Sequence, residues 1–268
     1  MMPLKFIVLS DLHLGAAVGG AVNGLDTTAR LAEAVKVINR DHADAALVLV
    51  AGDLADQGEP GAYLRLQDLL SALTMPVHLT LGNHDDRAAF LSVFGADLDD
   101  PRGRVSRVVD QGGYRVILLD TSEPGLIGGH LCQGRRDWLA ARLAEARGKP
   151  VIIVQHHHAN PLWVPVDKIN LADPEAYVAI LKQHDDVRHV IAGHVHMPTS
   201  SVWRGIPMST LSGSHYAVSP HVPGVPGQQR HFEGPAQFAI VLGFEDGVTV
   251  HFQDHSERHL TLASGLFH

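Results

Sequence analysis

Residues 77–85 read VHLTLGNHD: a strand-like run that stops at a glycine and then at Asn83, His84 and Asp85, three residues able to bind metal or handle protons. The same order recurs four times. FIVLS runs into Asp11-Leu12-His13, ALVLVA into Gly52-Asp53, VIIVQ into His156-His157-His158, and HVIA into Gly193-His194-Val195-His196. In open α/β sheets functional groups gather beyond the carboxyl ends of the strands. Five runs that end this way therefore point to one site. Carboxylate, amide and imidazole make an O/N donor set suited to Zn, Mn or Fe rather than to a thiolate centre. If these stretches are extended, residues i and i+2 share a side, which would pair Asp11 with His13 and His194 with His196. Gly52, Gly82 and Gly193 let the chain turn tightly and let backbones approach closely.

Outward from these runs, apolar β-branched segments alternate with helical patterns, the signature of α/β layering. Strands are expected at Leu4–Leu9, Ala46–Val50, Val77–Leu81, Val151–Val154 and His189–Ala192. Helices are expected at Thr28–Arg40 behind an Asp26 or Thr27 cap, and at Tyr63–Leu73, Asp86–Phe94, Arg135–Ala146 and Pro174–Gln183. Val105–Val109 and Tyr114–Asp120 read as a hairpin turning at Gly112-Gly113. Beyond about residue 199 the pattern is strand and loop: Thr199–Trp203, Pro207–Ser209, Phe238–Phe244 and Val248–Phe252. One domain over residues 1–268 is expected, with a β segment appended near its end. That part, about 199–268, is the candidate surface for a homo-oligomer. His215–Pro235, rich in Pro, Gly and His, reads as a long functional or interface loop.

The chain has 268 residues, enough to bury a substantial core. Its formal charge of −8 argues against a sequence-independent grip on long nucleic acid, which needs a basic surface. An anionic small substrate stays compatible, because bound cations reverse the local sign. The single Cys132 excludes an intrachain disulfide framework. No signal-peptide pattern and no long apolar run is present, so no membrane span is expected and the cytoplasm is the expected location.

The motifs D-x-H, G-D, G-N-H-D, a histidine after an apolar strand, and G-H-x-H, in this order, resemble the calcineurin-like metallophosphoesterase family. Over about residues 4–220 the likeness is greatest to its class III branch of cyclic-nucleotide and glycerophosphodiester phosphodiesterases. The resemblance implies a four-layer αββα sandwich of two mixed sheets flanked by helices. It implies two metal ions: Asp11, His13 and His196 on one, Asn83, His156 and His194 on the other, and Asp53 bridging with its two oxygens. His157 is the alternative to His156, because Pro161 comes later than the family places its proline. The implied reaction is in-line attack on a small phosphodiester, such as a cyclic nucleotide or a glycerophosphodiester, by hydroxide shared between the metals. His84 would hold the phosphate or protonate the leaving group, and Asp85 would orient His84. Asn83 and His215 would also face substrate, with Trp163, Asp167, Asn170 and His215 forming the pocket wall.

Blander readings compete at several positions. Ligand-type residues at strand ends also serve as caps or core polar groups, and His215 as an ordinary loop residue. His251, His255 and His259 have helical metal-site spacing, but the VTVHF context is strand-like and favours solvated side chains. Arg135-Arg136 reads as a solvated helix start. The same core would equally suit a phosphomonoesterase or protein phosphatase. A metal-binding interaction scaffold is the reading from another class, and complete retention of the seven ligand-type residues speaks against it.

Overall fold

The computed structural model describes residues 4–17, 20–96, 100–220 and 229–256. Strand and helix alternate through the first two thirds: β1 (Leu4–Leu9), α1 (Thr27–Asp41), β2 (Val48–Ala51), α2 (Pro60–Leu70), β3 (Val77–Thr80), α3 (Arg87–Phe94), β4 (Arg107–Gln111), β5 (Tyr114–Leu119), α4 (Gln133–Glu145), β6 (Val151–Gln155), α5 (Pro174–Leu181) and β7 (Val187–Ala192). Strands then dominate: β8 (Thr199–Trp203), β9 (Ile206–Thr210), β10 (Ala217–Val218), β11 (His231–Phe232), β12 (Gln237–Gly243) and β13 (Val248–Asp254).

Two mixed sheets result, in the orders β13-β12-β1-β2-β3 and β4-β5-β6-β7-β9-β8. A short β10-β11 ribbon stands apart. β1, β2 and β3 are mutually parallel, as are β5, β6, β7 and β9. The central strands are apolar on both faces because both faces are covered. In β1, Phe6 and Val8 enter the core between the sheets, whereas Ile7 and Leu9 pack with Leu31, Ile38, Tyr63 and Leu66 of α1 and α2. In β6, Ile152 and Val154 face the intersheet core, and Ile153 faces Trp138, Leu139 and Leu143 of α4. Period-two alternation thus sorts one sequence into three cores, and the layers stack as helix, sheet, sheet, helix.

Local chemistry sets the element ends. Asp26 caps α1, its Oδ1 accepting from the Ala29 amide at 2.9 Å. The helix expected from Tyr63 begins instead at Pro60, because proline at the first helical position gives up an amide that has no partner there anyway. Gly112 and Gly113, at φ 58° and 82°, form the two-residue turn between β4 and β5.

The C-terminal strands are not an appendage. β12 inserts antiparallel beside β1, with Phe6 opposite Val241, and β13 closes that edge. QFAIVLG is buried along most of its length for this reason. His251 lies exposed on β13, His255 is buried just after it, and His259 lies outside the described residues. Among the described residues no helix is long and apolar enough to cross a membrane.

Beyond their carboxyl ends β2 and β3 stay in contact. At Gly82 a Cβ would collide with the Asp53 backbone nitrogen and carboxylate, although the Gly82 φ lies outside the left-handed region. Gly82→Ala therefore isolates close approach from backbone strain. It should lower the unfolding free energy by about 1–3 kcal/mol, the usual cost of overpacking. Urea denaturation measures it, and a midpoint equal to that of the unaltered protein would contradict this packing.

Candidate metal centre

All five strand-end clusters arrive at one place. Asp11 and His13 follow β1, Asp53 follows β2, Asn83 and His84 follow β3, His156 follows β6, and His194 and His196 follow β7. The expected pleat pairing is not how they converge. Asp11 (φ 53°), His13 (46°), Asp53 (49°), His194 (71°) and His196 (51°) are all in the left-handed region, so the chain curls at the ends of β1, β2 and β7. Each curl swings a side chain inward. His194 and His196 consequently separate: His196 joins Asp11 and His13, while His194 joins His156 and His157. Within each trio the potential ligand atoms lie within 4.8 Å of one another.

Asp53 occupies the middle. Its Oδ2 is 3.6 Å from His13 Nε2 and 3.3 Å from His156 Nε2. Its Oδ1 instead accepts the His84 amide at 2.9 Å. Thus one oxygen, not two, lies between the two groups. His156 Nε2 is also 3.2 Å from Asn83 Oδ1 and 3.2 Å from His194 Nδ1. Asp11 Oδ1 lies 3.5 Å from His196 Nε2. The adjacent His157 differs: its Nδ1 meets the Thr121 hydroxyl at 2.8 Å and its Nε2 the Ile127 carbonyl at 3.0 Å. Both its ring nitrogens have protein partners outside the centre, whereas His156 Nε2 lies against Asp53, Asn83 and His194.

Four imidazoles share one plan. His13 Nδ1 is 3.2 Å from Asp56 Oδ1, His156 Nδ1 2.8 Å from the Ala51 carbonyl, His194 Nε2 3.0 Å from the Ile169 carbonyl, and His196 Nδ1 3.0 Å from the Tyr216 carbonyl. A ring nitrogen that donates outward fixes the tautomer and leaves the other nitrogen's lone pair facing in, as metal-binding histidines require. His13 Nε2 is buried with no hydrogen-bond partner among the described residues. That orphan, together with the mixed O/N donors, fits a pair of divalent cations.

Electrostatics agree. Burial opposes both charges of the Asp53–His156 pair, yet mutual attraction holds the carboxylate well below its usual range and pushes the imidazole up to about 9. A proton there stands where a cation would, and cation binding releases it. Burial lowers His196 to about 4, against the pull of Asp11, and burial with the neighbouring imidazoles holds His194 well below the usual range. Both are neutral and have lone pairs to offer.

Asp85 does not orient His84. Its carboxylate accepts the amides of Leu54, Ala55 and Gly82 and the Tyr63 hydroxyl, at 2.8–3.1 Å, and so pins the turn that carries Asp53. Burial and the nearby Asp53 charge raise Asp85 to about 6. His84 is instead set by the Asp56 carbonyl, 2.8 Å from its Nδ1, and its exposed ring stands 4.6 Å from that of His13. Asp56 itself escaped sequence reasoning. The only signal was a carboxylate three residues after Asp53, and the His13 hydrogen bond lowers it to about 2.

A cavity of about 310 Å³ opens over Asp53, Asn83, His84, His194 and His196. Its walls are Ile127, Val166, Ile169, Tyr216, Val218 and His231 rather than the expected set. Trp163 is 70% exposed, and Asp167 is spent on the amides of Leu162 and Trp163 and on His158. Asn170 contributes its carbonyl to the Gly129 amide and does not line the cavity. His215 is buried beside His13, its Nε2 3.0 Å from the Val22 carbonyl. Arg135 is buried as well, its guanidinium holding the Asp120 and Ser122 carbonyls, so it is not a solvated helix start.

A probable cyclic nucleotide phosphodiesterase of Rhodopseudomonas palustris is 35% identical, covering 92% of this chain and 91% of its own. The glycerophosphodiester phosphodiesterase GpdQ of Enterobacter lignolyticus is 29% identical, covering 78% and 77%. A crystal structure of a dimetal phosphatase from Danio rerio shares the fold, with a TM-score of 0.74 at 20% identity, over 94% of this chain and 97% of that one. The calcineurin-like phosphoesterase family model matches residues 4–198. With these motifs converging on one candidate centre, the chain belongs to the calcineurin-like phosphoesterase family, whose members use a dinuclear metal centre.

Proposed function

We propose that this protein is a phosphodiesterase acting on small diesters, cyclic nucleotides or glycerophosphodiesters, through two metal ions. Asp11, His13 and His196 would hold one cation, and Asn83, His156 and His194 the other. Asp53 Oδ2 would be shared. The observation that carries this reading is the Asp53 oxygen set between His13 and His156, with each surrounding imidazole locked from behind. When bound, such cations supply the charge that ionises a water near neutral pH and offsets charge on phosphate oxygens.

The chain's own groups do the remaining work. His84, held through Nδ1, presents Nε2 at the edge of the centre, placed to give a proton to the departing oxygen. The cavity walls support a diester over a monoester. No lysine or arginine lines the cavity among the described residues. Among the described residues of this cavity a monoester dianion finds neither, whereas a monoanionic diester can lay its second arm against Ile127, Val166 and Tyr216. The likeness to phosphodiesterases supports the same choice.

Asp53→Ala should remove nearly all turnover and prevent a second metal equivalent from binding, as read by metal analysis after reconstitution. Two retained equivalents with full activity would refute the shared ligand. His84→Ala should bind metal normally and slow hydrolysis by about 10²–10⁴-fold. The loss should shrink for nitrophenolate, which leaves without a proton; equal loss for all leaving groups would make His84 a phosphate binder instead. Bis(nitrophenyl) phosphate should be cleaved with higher kcat/KM than nitrophenyl phosphate, and cyclic and glycerol diesters should exceed their product monoesters. Consistent preference for monoesters would overturn the diesterase reading while leaving the centre intact.

A further inference from the structure

A second cavity, about 580 Å³, adjoins the first and shares Asn83 and His84 with it. It runs on past Gln57, Arg87, Ala88, Ser122 and Glu123, and none of Asp11, His13, Asp53, His156, His194 or His196 lines it. We propose that this cavity receives the leaving alcohol of a linear diester, while the arm that stays on phosphorus occupies the cavity over the centre. The proposal rests on the diesterase reading and adds the direction in which the substrate lies.

The position of His84 sets that direction. In hydrolysis a water oxygen bonds to phosphorus and the ester P–O bond breaks with its electron pair on the departing oxygen. That oxygen takes a proton from His84, and the imidazole recovers one from the proton the water released. The departing oxygen must therefore lie within hydrogen-bond reach of His84. Nδ1 is committed to the Asp56 carbonyl, so Nε2 makes the transfer. The arm attached to that oxygen can then continue past His84 into the second cavity, which His84 and Asn83 also line.

The far wall is preformed. Arg87 reaches Asp120 Oδ2 at 2.7 Å and the Ser122 hydroxyl at 2.9 Å, and Arg135 holds the Ser122 carbonyl at 2.6 Å. Both cavities mix polar and apolar lining: Gln57, Arg87 and Ser122 stand beside Ala88, Leu91 and Pro124 in the second, and Asn83 and His84 beside Ile127, Val166 and Tyr216 in the first.

Filling each cavity separately tests this. Ala88→Trp and, from the opposite wall, Pro124→Trp narrow the second cavity, and Val166→Trp narrows the first. Three diesters are compared: methyl nitrophenyl phosphate, methyl methylumbelliferyl phosphate with a larger leaving group, and thymidine nitrophenyl phosphate with a larger retained group. Ala88→Trp and Pro124→Trp should penalise kcat/KM for the methylumbelliferyl ester about tenfold more than for the methyl nitrophenyl ester. Exchanging methyl for thymidine should not deepen their penalty, but should deepen that of Val166→Trp. A second-cavity penalty that follows the retained arm, or no penalty from either tryptophan, would overturn the assignment with the diesterase reading intact. Failure of the unaltered protein to cleave any of the three would overturn both.

Discussion

The structure turns on left-handed backbone at the strand ends. Asp11, His13, Asp53, His194 and His196 all have positive φ, a conformation that costs a non-glycine residue on the order of 1–3 kcal/mol. Such residues persist only where neighbours over-determine them, and here they do. The amides of Asp11, His13 and Leu14 bond to the carbonyls of Gly52, Asp53 and Leu54, lacing the first two strand ends together. Asp85 grips the same turn from below, and the Asp11 carboxylate accepts the His194 amide across from the other sheet. Strain at five points is thus the cost of directing seven side chains from two sheets toward one centre.

Much of this was legible in the sequence because it depends on order and period. Apolar runs ending at ligand-type residues located the strands and their functional edge, and the motif order indicated the sandwich. Other features were invisible for physical reasons. Adjacency in sequence suggested that Asp85 serves His84, whereas the chain reverses after Asn83 and sends Asp85 inward to the Asp53 turn. Extended geometry was assumed for Asp11–His13 and His194–His196, but φ cannot be read from Asp and His as it often can from Gly. β12 looked appended because its partner, β1, lies more than two hundred residues earlier. The cavity wall was misplaced because loop side chains such as Trp163 and Asp167 are oriented by tertiary contacts, not by spacing.

His156 and its neighbours illustrate how hydrogen-bond partners distinguish residues that composition leaves alike. His156, His157 and His158 are all buried and chemically identical. Only their partners differ: a carbonyl behind His156, a partner on each side of His157, and Asp167 beside His158. The outer hydrogen bonds decide which lone pair faces the centre, and they link the fold to the chemistry. His156, His194 and His196 are each anchored by a backbone carbonyl, of Ala51, Ile169 and Tyr216.

The account stands or falls on where cations bind. A crystal structure of the protein reconstituted with manganese or zinc, with anomalous difference maps, measures this directly. Two peaks are expected, one among Asp11, His13 and His196 and one among Asn83, His156 and His194, with Asp53 Oδ2 between them. A single peak, or a peak coordinated by His157 in place of His156, would contradict it.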